Sequence, residues 1–185
     1  MGILRSESYL QRTDSLSRVL IIIASFFAVS ALILAIVGIA TPSWYYYIDS
    51  SGTFLYYNLF TQCTGNGNNN TLICTDMQRQ TTLGLGTQNT AALLIVAICL
   101  LGCGTLITLT MIFIRLPGIM LLIAPVVLFL ATLFMVVALI ECSNVTIYNS
   151  YSAHLVQTSH IATIFAMGIV AFASGRLHFS SYQEI

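Results

Sequence analysis

The fold is decided by a stretch that reads Trp44-Tyr45-Tyr46-Tyr47 … Asn58-Leu59-Phe60-Thr61-Gln62-Cys63 … Leu72-Ile73-Cys74. Strand-favouring residues surround both cysteines, and the glycine- and asparagine-rich run at 65–70 supplies a turn between them. We therefore predict a β-hairpin closed by a Cys63–Cys74 disulfide, which requires an oxidising compartment. The alternative is a loop that carries two unpaired thiols.

Composition sets the class of protein. The chain is 57% hydrophobic and 6% charged, it contains no lysine, and its mean hydropathy is +0.90. Because a soluble domain carries about 25% charged residues, this chain is predicted to be a membrane protein that contacts lipid. Its formal net charge is zero, so it lacks the basic surface that nucleic-acid binding requires.

Four apolar runs predict four membrane-spanning helices, at residues 19–40, 90–113, 117–140 and 155–176. They separate a head at 1–18, a first loop at 41–89, a short turn at 114–116, a second loop at 141–154 and a tail at 177–185. Pro42 ends the first span, and Pro125, well inside the third, predicts a kink there. The predicted fold class is a mainly α membrane protein with a single four-helix domain.

Small residues in two of the spans predict close helix packing. Residues 24, 28, 31 and 35 are alanines and residue 38 is a glycine, and Ala162 and Ala166 repeat the pattern in the fourth span. Cys99 and Cys103 share one helix face and are interpreted as packing residues rather than a metal pair. Glu141 and His160 are placed near the outer ends of their helices, where they could pair.

Arginine placement predicts the orientation. Three arginines lie in the head, one in the 114–116 turn and one at residue 176, whereas the first loop has only Arg79 and the second loop has none. Positive charge marks the cytoplasmic side, so both termini are predicted inside the cell and both long loops outside, at the plasma membrane. The sequons at Asn69 and Asn144 then face the compartment where glycans are added.

The two ends of the chain carry weaker signals. Met1-Gly2-Ile3-Leu4-Arg5-Ser6 fits the N-myristoylation pattern at Gly2, although Gly2 could equally be part of a simple tail. The chain ends in Ile185, a hydrophobic residue of the kind that PDZ domains bind.

No catalytic motif was found. The chain lacks H-E-x-x-H, a Walker loop, G-x-S-x-G and any acidic cluster. His154 and His160 are six residues apart, which puts them on different helix faces, and His178 lies across the membrane. We therefore predict a protein that is not an enzyme and that has no catalytic residues, no cofactor and no metal site.

The first loop resembles that of the claudin superfamily, which includes claudins, peripheral myelin and epithelial membrane proteins, and calcium-channel gamma subunits. That family carries a Trp, then Gly-Leu-Trp, two residues, Cys, eight to ten residues and Cys. Trp44, Leu59, Cys63 and Cys74 match this pattern, and Arg79 matches an arginine found beyond the second cysteine. Asn58 replaces the usual Gly, and Phe60 replaces the second Trp as an aromatic plug. The motif covers residues 44–79, and the four-span layout covers nearly the whole chain.

The resemblance implies a left-handed four-helix transmembrane bundle capped by a small extracellular antiparallel β-sheet, with Trp44 anchoring the sheet to the bundle. Alternatively, Trp44 is an aromatic of the membrane interface with no special role. Exposed aromatics on the sheet are candidate partner-binding residues, unless the surface is simply shielded by glycans: Tyr45, Tyr46, Tyr47, Tyr56 and Tyr57.

Two functions fit the resemblance. The first is cell–cell junction, adhesion or membrane organisation through contacts with itself or other claudin-like proteins, laterally or across cells. The second is an auxiliary, gamma-type subunit that modulates an ion channel or receptor. A glycan at Asn69, at the tip of the hairpin, would obstruct head-on contact between cells and favours the lateral partnership.

Overall fold

The computed structural model describes residues 3–41, 43–48, 50, 52–66, 71–76, 87–114, 120–143 and 151–182. Its four α-helices are α1 (Ile3–Ala40), α2 (Thr87–Phe113), α3 (Ile123–Ser143) and α4 (Tyr151–Tyr182). Four strands lie between α1 and α2, namely β1 (Tyr45–Ile48), β2 (Thr53–Tyr57), β3 (Thr61–Asn66) and β4 (Thr71–Asp76). They form one antiparallel sheet in the order β1-β2-β3-β4, so each strand pairs with the next in the chain.

Each helix contains an apolar segment long enough to cross a membrane. These segments are Ser15–Ala40, Asn89–Phe113, Ile123–Cys142 and Tyr151–Leu177, which have 20 to 27 residues each. The helices extend beyond the spans predicted from hydropathy, because a helix need not end where the hydrocarbon ends. In α1, for example, no proline interrupts residues 3–40, and the helix continues through the polar head.

The prediction that Pro125 lies well inside the third span, at a kink, was wrong. α3 begins at Ile123 after a 3-10 turn at Met120–Leu122, so Pro125 lies in the first turn of the α-helix. The missing N–H is tolerated there because the first turn has no intrahelical acceptor for it. Pro117, the predicted start of the third span, lies outside the described residues.

The neighbouring helix pairs are α1–α4, α2–α3, α1–α2 and α3–α4, which places α2 and α4 at opposite corners of the bundle. Small residues let α1 approach α4 closely, since Ala24, Ala28, Ala31 and Ala35 are all buried. A Cβ on Gly38 would lie only 2.7 Å from Val156 Cγ2, and the Ser159 hydroxyl donates to the Ala31 carbonyl across the interface at 2.7 Å.

Two buried clusters make up the core. The larger runs along the bundle and includes Leu101, Leu128, Met135 and Val170. The smaller lies at the end of the bundle that carries the sheet, and it joins residues of both: Trp44, Leu59, Ala91, Leu94, Ala138, Cys142, Ala153 and Val156. Four long apolar helices with a small antiparallel sheet between the first two confirm the predicted fold class.

Candidate functional site: the disulfide-closed sheet

The sheet is held together by the predicted disulfide. Cys63 on β3 lies directly opposite Cys74 on β4 in the strand register, and their sulfurs are bonded. Cys63 is buried, whereas Cys74 is exposed. The prediction of a disulfide-closed hairpin is confirmed, and two further strands extend the hairpin into a four-stranded sheet.

Trp44 lies at the junction between the sheet and the bundle. Its side chain is 4% exposed and packs in the smaller cluster with residues of α2, α3 and α4. The indole N–H donates to the Gly38 carbonyl of α1 at 2.9 Å. This bond satisfies both a buried donor and a carbonyl in the last turn of α1, which has no intrahelical partner.

The turn between β2 and β3 contains the remaining residues that match the family pattern. The Asn58 N–H donates to the Thr61 carbonyl at 2.8 Å, and the Asn58 side-chain oxygen accepts from the Leu59 N–H. Asn58 and Leu59 are buried, whereas Phe60 is 39% exposed. The expected aromatic plug at Phe60 was wrong, since Leu59 is the residue that enters the cluster with Trp44.

Strand register distributes the candidate tyrosines over two faces of the sheet. Tyr45 pairs with Tyr57, and Tyr46 pairs with Tyr56, and successive strand positions point to opposite faces. Tyr46 stacks on Phe54 with ring centroids 6.1 Å apart. Tyr45 and Tyr46 are both half-buried; of Tyr47, Tyr56 and Tyr57 the structure describes the backbone.

The most exposed large apolar side chain on the described part of the sheet is one that the sequence analysis did not select. Ile73 on the edge strand β4 is 67% exposed, and Thr64, its pairing partner on β3, is also exposed. Ile48, at the end of the other edge strand, is 49% exposed. Strand alternation could have predicted this exposure. Ile73 is next to Cys74, whose partner Cys63 is buried, so the Ile73 side chain points to the opposite, outer face of the sheet.

Several predicted sites lie outside the described residues: Gly2, Asn69, Arg79, Asn144 and Ile185. They stay predictions.

Two predictions within the helices were wrong. Cys99 and Cys103 are exposed on the outside of α2 rather than packed within the bundle. The structure shows neither an ion pair nor a hydrogen bond between Glu141 and His160, both of which it describes; Ser159, the neighbour of His160, bonds to Ala31 of α1, nine residues before the end of that helix. Among the described residues, no group of three or more His, Cys, Asp or Glu could hold a metal ion.

These features define a multi-pass membrane protein whose four helices hold one disulfide-closed sheet at a single end. The family model described as PMP-22/EMP/MP20/Claudin matches residues 17–177, which include the sheet and all four membrane-crossing segments except the first two residues of the first one. The chain belongs to this family. A search of curated proteins finds no match.

Proposed function

We propose that this protein works through protein contacts, made by its sheet and by the lipid-facing sides of its helices, in cell–cell junctions, adhesion or membrane organisation. In this proposal it resides in the plasma membrane, both termini are cytoplasmic, and the sheet lies outside the cell. Family membership supports a junction or membrane role in general, and the family is structural rather than enzymatic.

The observation that carries the proposal is the exposed apolar surface on a firmly held sheet. Ile73 and Phe60 present hydrophobic area to water, while the disulfide joins β3 to β4 and the buried Trp44 packs against the bundle. Exposed apolar side chains on a rigid scaffold favour binding, because little conformational entropy is lost when the partner docks.

Ile73→Thr tests this role. Threonine keeps the β-branched shape that suits a strand but removes apolar surface. In cells that lack junctions, the wild-type protein should concentrate where two expressing cells touch, and Ile73→Thr should reduce that enrichment several-fold at equal surface expression.

Thr64→Ser is the matched control, because it alters the exposed residue opposite Ile73 without removing comparable apolar area. An unchanged enrichment in Ile73→Thr, or an equal loss in both variants, would remove Ile73 from the contact. A wild-type protein that stays diffuse over the cell surface would count against adhesion.

The second candidate is an auxiliary subunit that packs beside a channel or receptor. The sequon at Asn69 favours it, since residues 67–70 connect β3 and β4 at the end of the hairpin, where a glycan would obstruct head-on contact. A channel recovered with the protein in mild detergent, with no enrichment at cell contacts, would support this function over adhesion.

A further inference from the structure

Arg176 carries an unsatisfied donor at the membrane boundary. It is the second-last residue of the membrane-crossing segment Tyr151–Leu177, and its side chain is half-buried. The guanidinium carbon lies 5.8 Å from the centre of the Phe172 ring, and the buried Nε has no hydrogen-bond partner among the described residues. Because a desolvated N–H without an acceptor costs free energy, this side chain favours a ligand that brings an oxygen acceptor.

Two exposed phenyl rings lead from Arg176 towards the middle of the bilayer. Phe165 precedes Phe172 by seven residues and Arg176 by eleven, so the three side chains share one face of α4. Along the helix axis they cover about 16 Å. One leaflet of hydrocarbon is about 15 Å thick, half of the membrane core. This face of α4 therefore has the length of a single leaflet, from its boundary to the midplane.

A gap separates the two phenyl rings. Gly168 is exposed between them, three residues after Phe165 and four before Phe172, and a Cβ built on it would meet nothing within 4 Å. At the inner end of this face, Phe27 of α1 stacks on Phe165 with ring centroids 6.2 Å apart. The surface is thus a stretch of open backbone that is bounded by aromatic rings and lies beside α1.

The other described arginine at this end of the bundle points away from the aromatic face. Arg18 is exposed on α1 and precedes Phe27 by nine residues, which is two and a half turns and places the two side chains on opposite sides of the helix. The described hydroxyls of α1 and α4 at this end are uncharged: Ser15 is exposed, whereas Ser17 and Ser174 are completely buried and unpartnered. Among the described residues, the cation beside the aromatic face is therefore the arginine of α4.

The described part of the chain offers Arg176 no carboxylate. Glu141 is the one acidic residue whose side chain the structure describes, and it lies in the last turn of α3, at the end of the bundle that carries the sheet. Asp14 and Glu184 are nearer in sequence to the ends of these spans, and their side chains lie outside the described residues. Lipid phosphates, which lie just beyond the hydrocarbon, supply oxygen acceptors at the level of Arg176.

We propose that the face of α4 formed by Phe165, Gly168, Phe172 and Arg176 binds one anionic phospholipid. An acyl chain lies in the gap at Gly168, between the two phenyl rings, and the phosphate accepts hydrogen bonds from the guanidinium. Arginine suits this ligand because it binds phosphate through two parallel N–H bonds, of which Nε–H can be one. The guanidinium reaches the phosphate by turning from the Phe172 ring towards the headgroups, while its stem stays on the apolar surface.

Native mass spectrometry of the purified full chain in mild detergent tests the headgroup contact. Phosphatidylglycerol should bind about fivefold more tightly than phosphatidylcholine with the same acyl chains, because only phosphatidylglycerol leaves the phosphate charge uncompensated for the arginine. Arg176→Gln should remove this preference, and Arg18→Gln, the matched control at the same end of the bundle, should keep it. Glycerophosphoglycerol, which is the headgroup without acyl chains, should not compete, and this distinguishes a lipid site from a site for a free phosphodiester.

The acyl-chain contact is tested by filling the gap. Gly168→Leu should lower the affinity for both phospholipids about fivefold, because the new side chain occupies the space of the acyl chain. Gly102→Leu is the matched control, since a Cβ on Gly102 also meets nothing within 4 Å but lies on α2. Phe172→Ala, which removes one boundary of the gap, should also lower both affinities and covers a Gly168→Leu protein that fails to keep its helical circular dichroism.

Three results would overturn the proposal. The first is a preference for phosphatidylglycerol that survives Arg176→Gln or is lost equally in Arg18→Gln, which would indicate general attraction between charges. The second is an equal effect of Gly168→Leu and Gly102→Leu. The third is tight binding of cholesterol with no preference between the two phospholipids, which would assign the face to a sterol. These measurements use the isolated protein, so their outcome is independent of the enrichment at cell contacts that tests adhesion.

Discussion

Trp44 is the only tryptophan in the chain, and it connects the two parts of the molecule. The ring packs in a cluster with residues of α2, α3 and α4, and its N–H donates to a carbonyl in the last turn of α1. Loss of this bond removes the shorter of the two hydrogen bonds that the Gly38 carbonyl accepts and leaves it only the Thr41 hydroxyl, at 3.3 Å.

Trp44→Phe should therefore lower the free energy of unfolding by about 1–2 kcal/mol, for the lost hydrogen bond and part of the ring. Unfolding in detergent micelles, followed by far-UV circular dichroism, gives the measurement. Phe54→Leu, at a half-buried position away from the smaller cluster, serves as control. Equal stability of Trp44→Phe and the wild type would contradict the anchoring role.

The Ser159 hydroxyl of α4 donates a hydrogen bond to the Ala31 carbonyl of α1, within the membrane-crossing segments of both helices. Ser159→Ala should destabilise the protein by about 0.6 kcal/mol and at most about 1.7 kcal/mol, the range measured for hydrogen bonds between membrane helices. Thr158→Ala is the matched control, since Thr158 is exposed and bonds within its own helix. If both variants unfold at the same temperature, the Ser159 bond contributes nothing.

At the scale of elements, two glycines face a neighbouring helix closely: Gly38 of α1 and Gly104 of α2. On α2, a Cβ at Gly104 would lie 2.7 Å from Leu128 Cδ2 of α3, whereas a Cβ at Gly102 would meet nothing within 4 Å. Leu128 is fully buried and has little room to move. The two glycines of one short sequence, Gly102-Cys103-Gly104, therefore have different roles.

Gly104→Ala should be about 1–3 kcal/mol less stable than Gly102→Ala, because overpacking acts at only one of them. Both substitutions gain the same helix propensity, so the difference isolates the contact with α3. Thermal unfolding of the two variants in the same detergent measures it. Similar melting temperatures would show that α2 and α3 separate easily at this level.

The disulfide belongs to the sheet and should affect it alone. Replacing both cysteines by serine removes a cross-link of eleven residues' separation and should cost the sheet about 3 kcal/mol. The helices have their own core, so helical circular dichroism should persist while a broad-specificity protease cuts within residues 41–89. If the double serine variant lost its helical signal under conditions in which the wild-type protein keeps it, the sheet and the bundle would unfold as one unit.

The orientation of the whole molecule is a prediction from arginine placement. It places the sheet and both sequons outside the cell. On intact cells, glycosidase treatment should increase gel mobility, and Asn69→Gln and Asn144→Gln should each remove one step of that change. A protein without glycan at either position, or with a protease-accessible head on intact cells, would reverse the proposed orientation.

The sequence by itself determined the class of the protein, its four spans and the disulfide. Hydropathy determines the spans because a helix buried in lipid must be apolar along about 20 residues. The cysteine pairing followed from strand-forming residues on both sides of a glycine- and asparagine-rich turn, a pattern that concerns residues close together in the chain.

Only the tertiary structure decided which residues face a neighbour and which face lipid or water. Apolar spans have no polar face to indicate direction, so Cys99 and Cys103 could not be assigned to the outside of α2 from sequence. For the same reason, the sequence placed Ser159 and His160 at the outer edge of the bundle, whereas the Ser159 hydroxyl bonds to Ala31 of α1, nine residues before the end of that helix. Trp44, Leu59 and the smaller cluster meet only because four helices end together beneath the sheet, and no local pattern encodes that meeting.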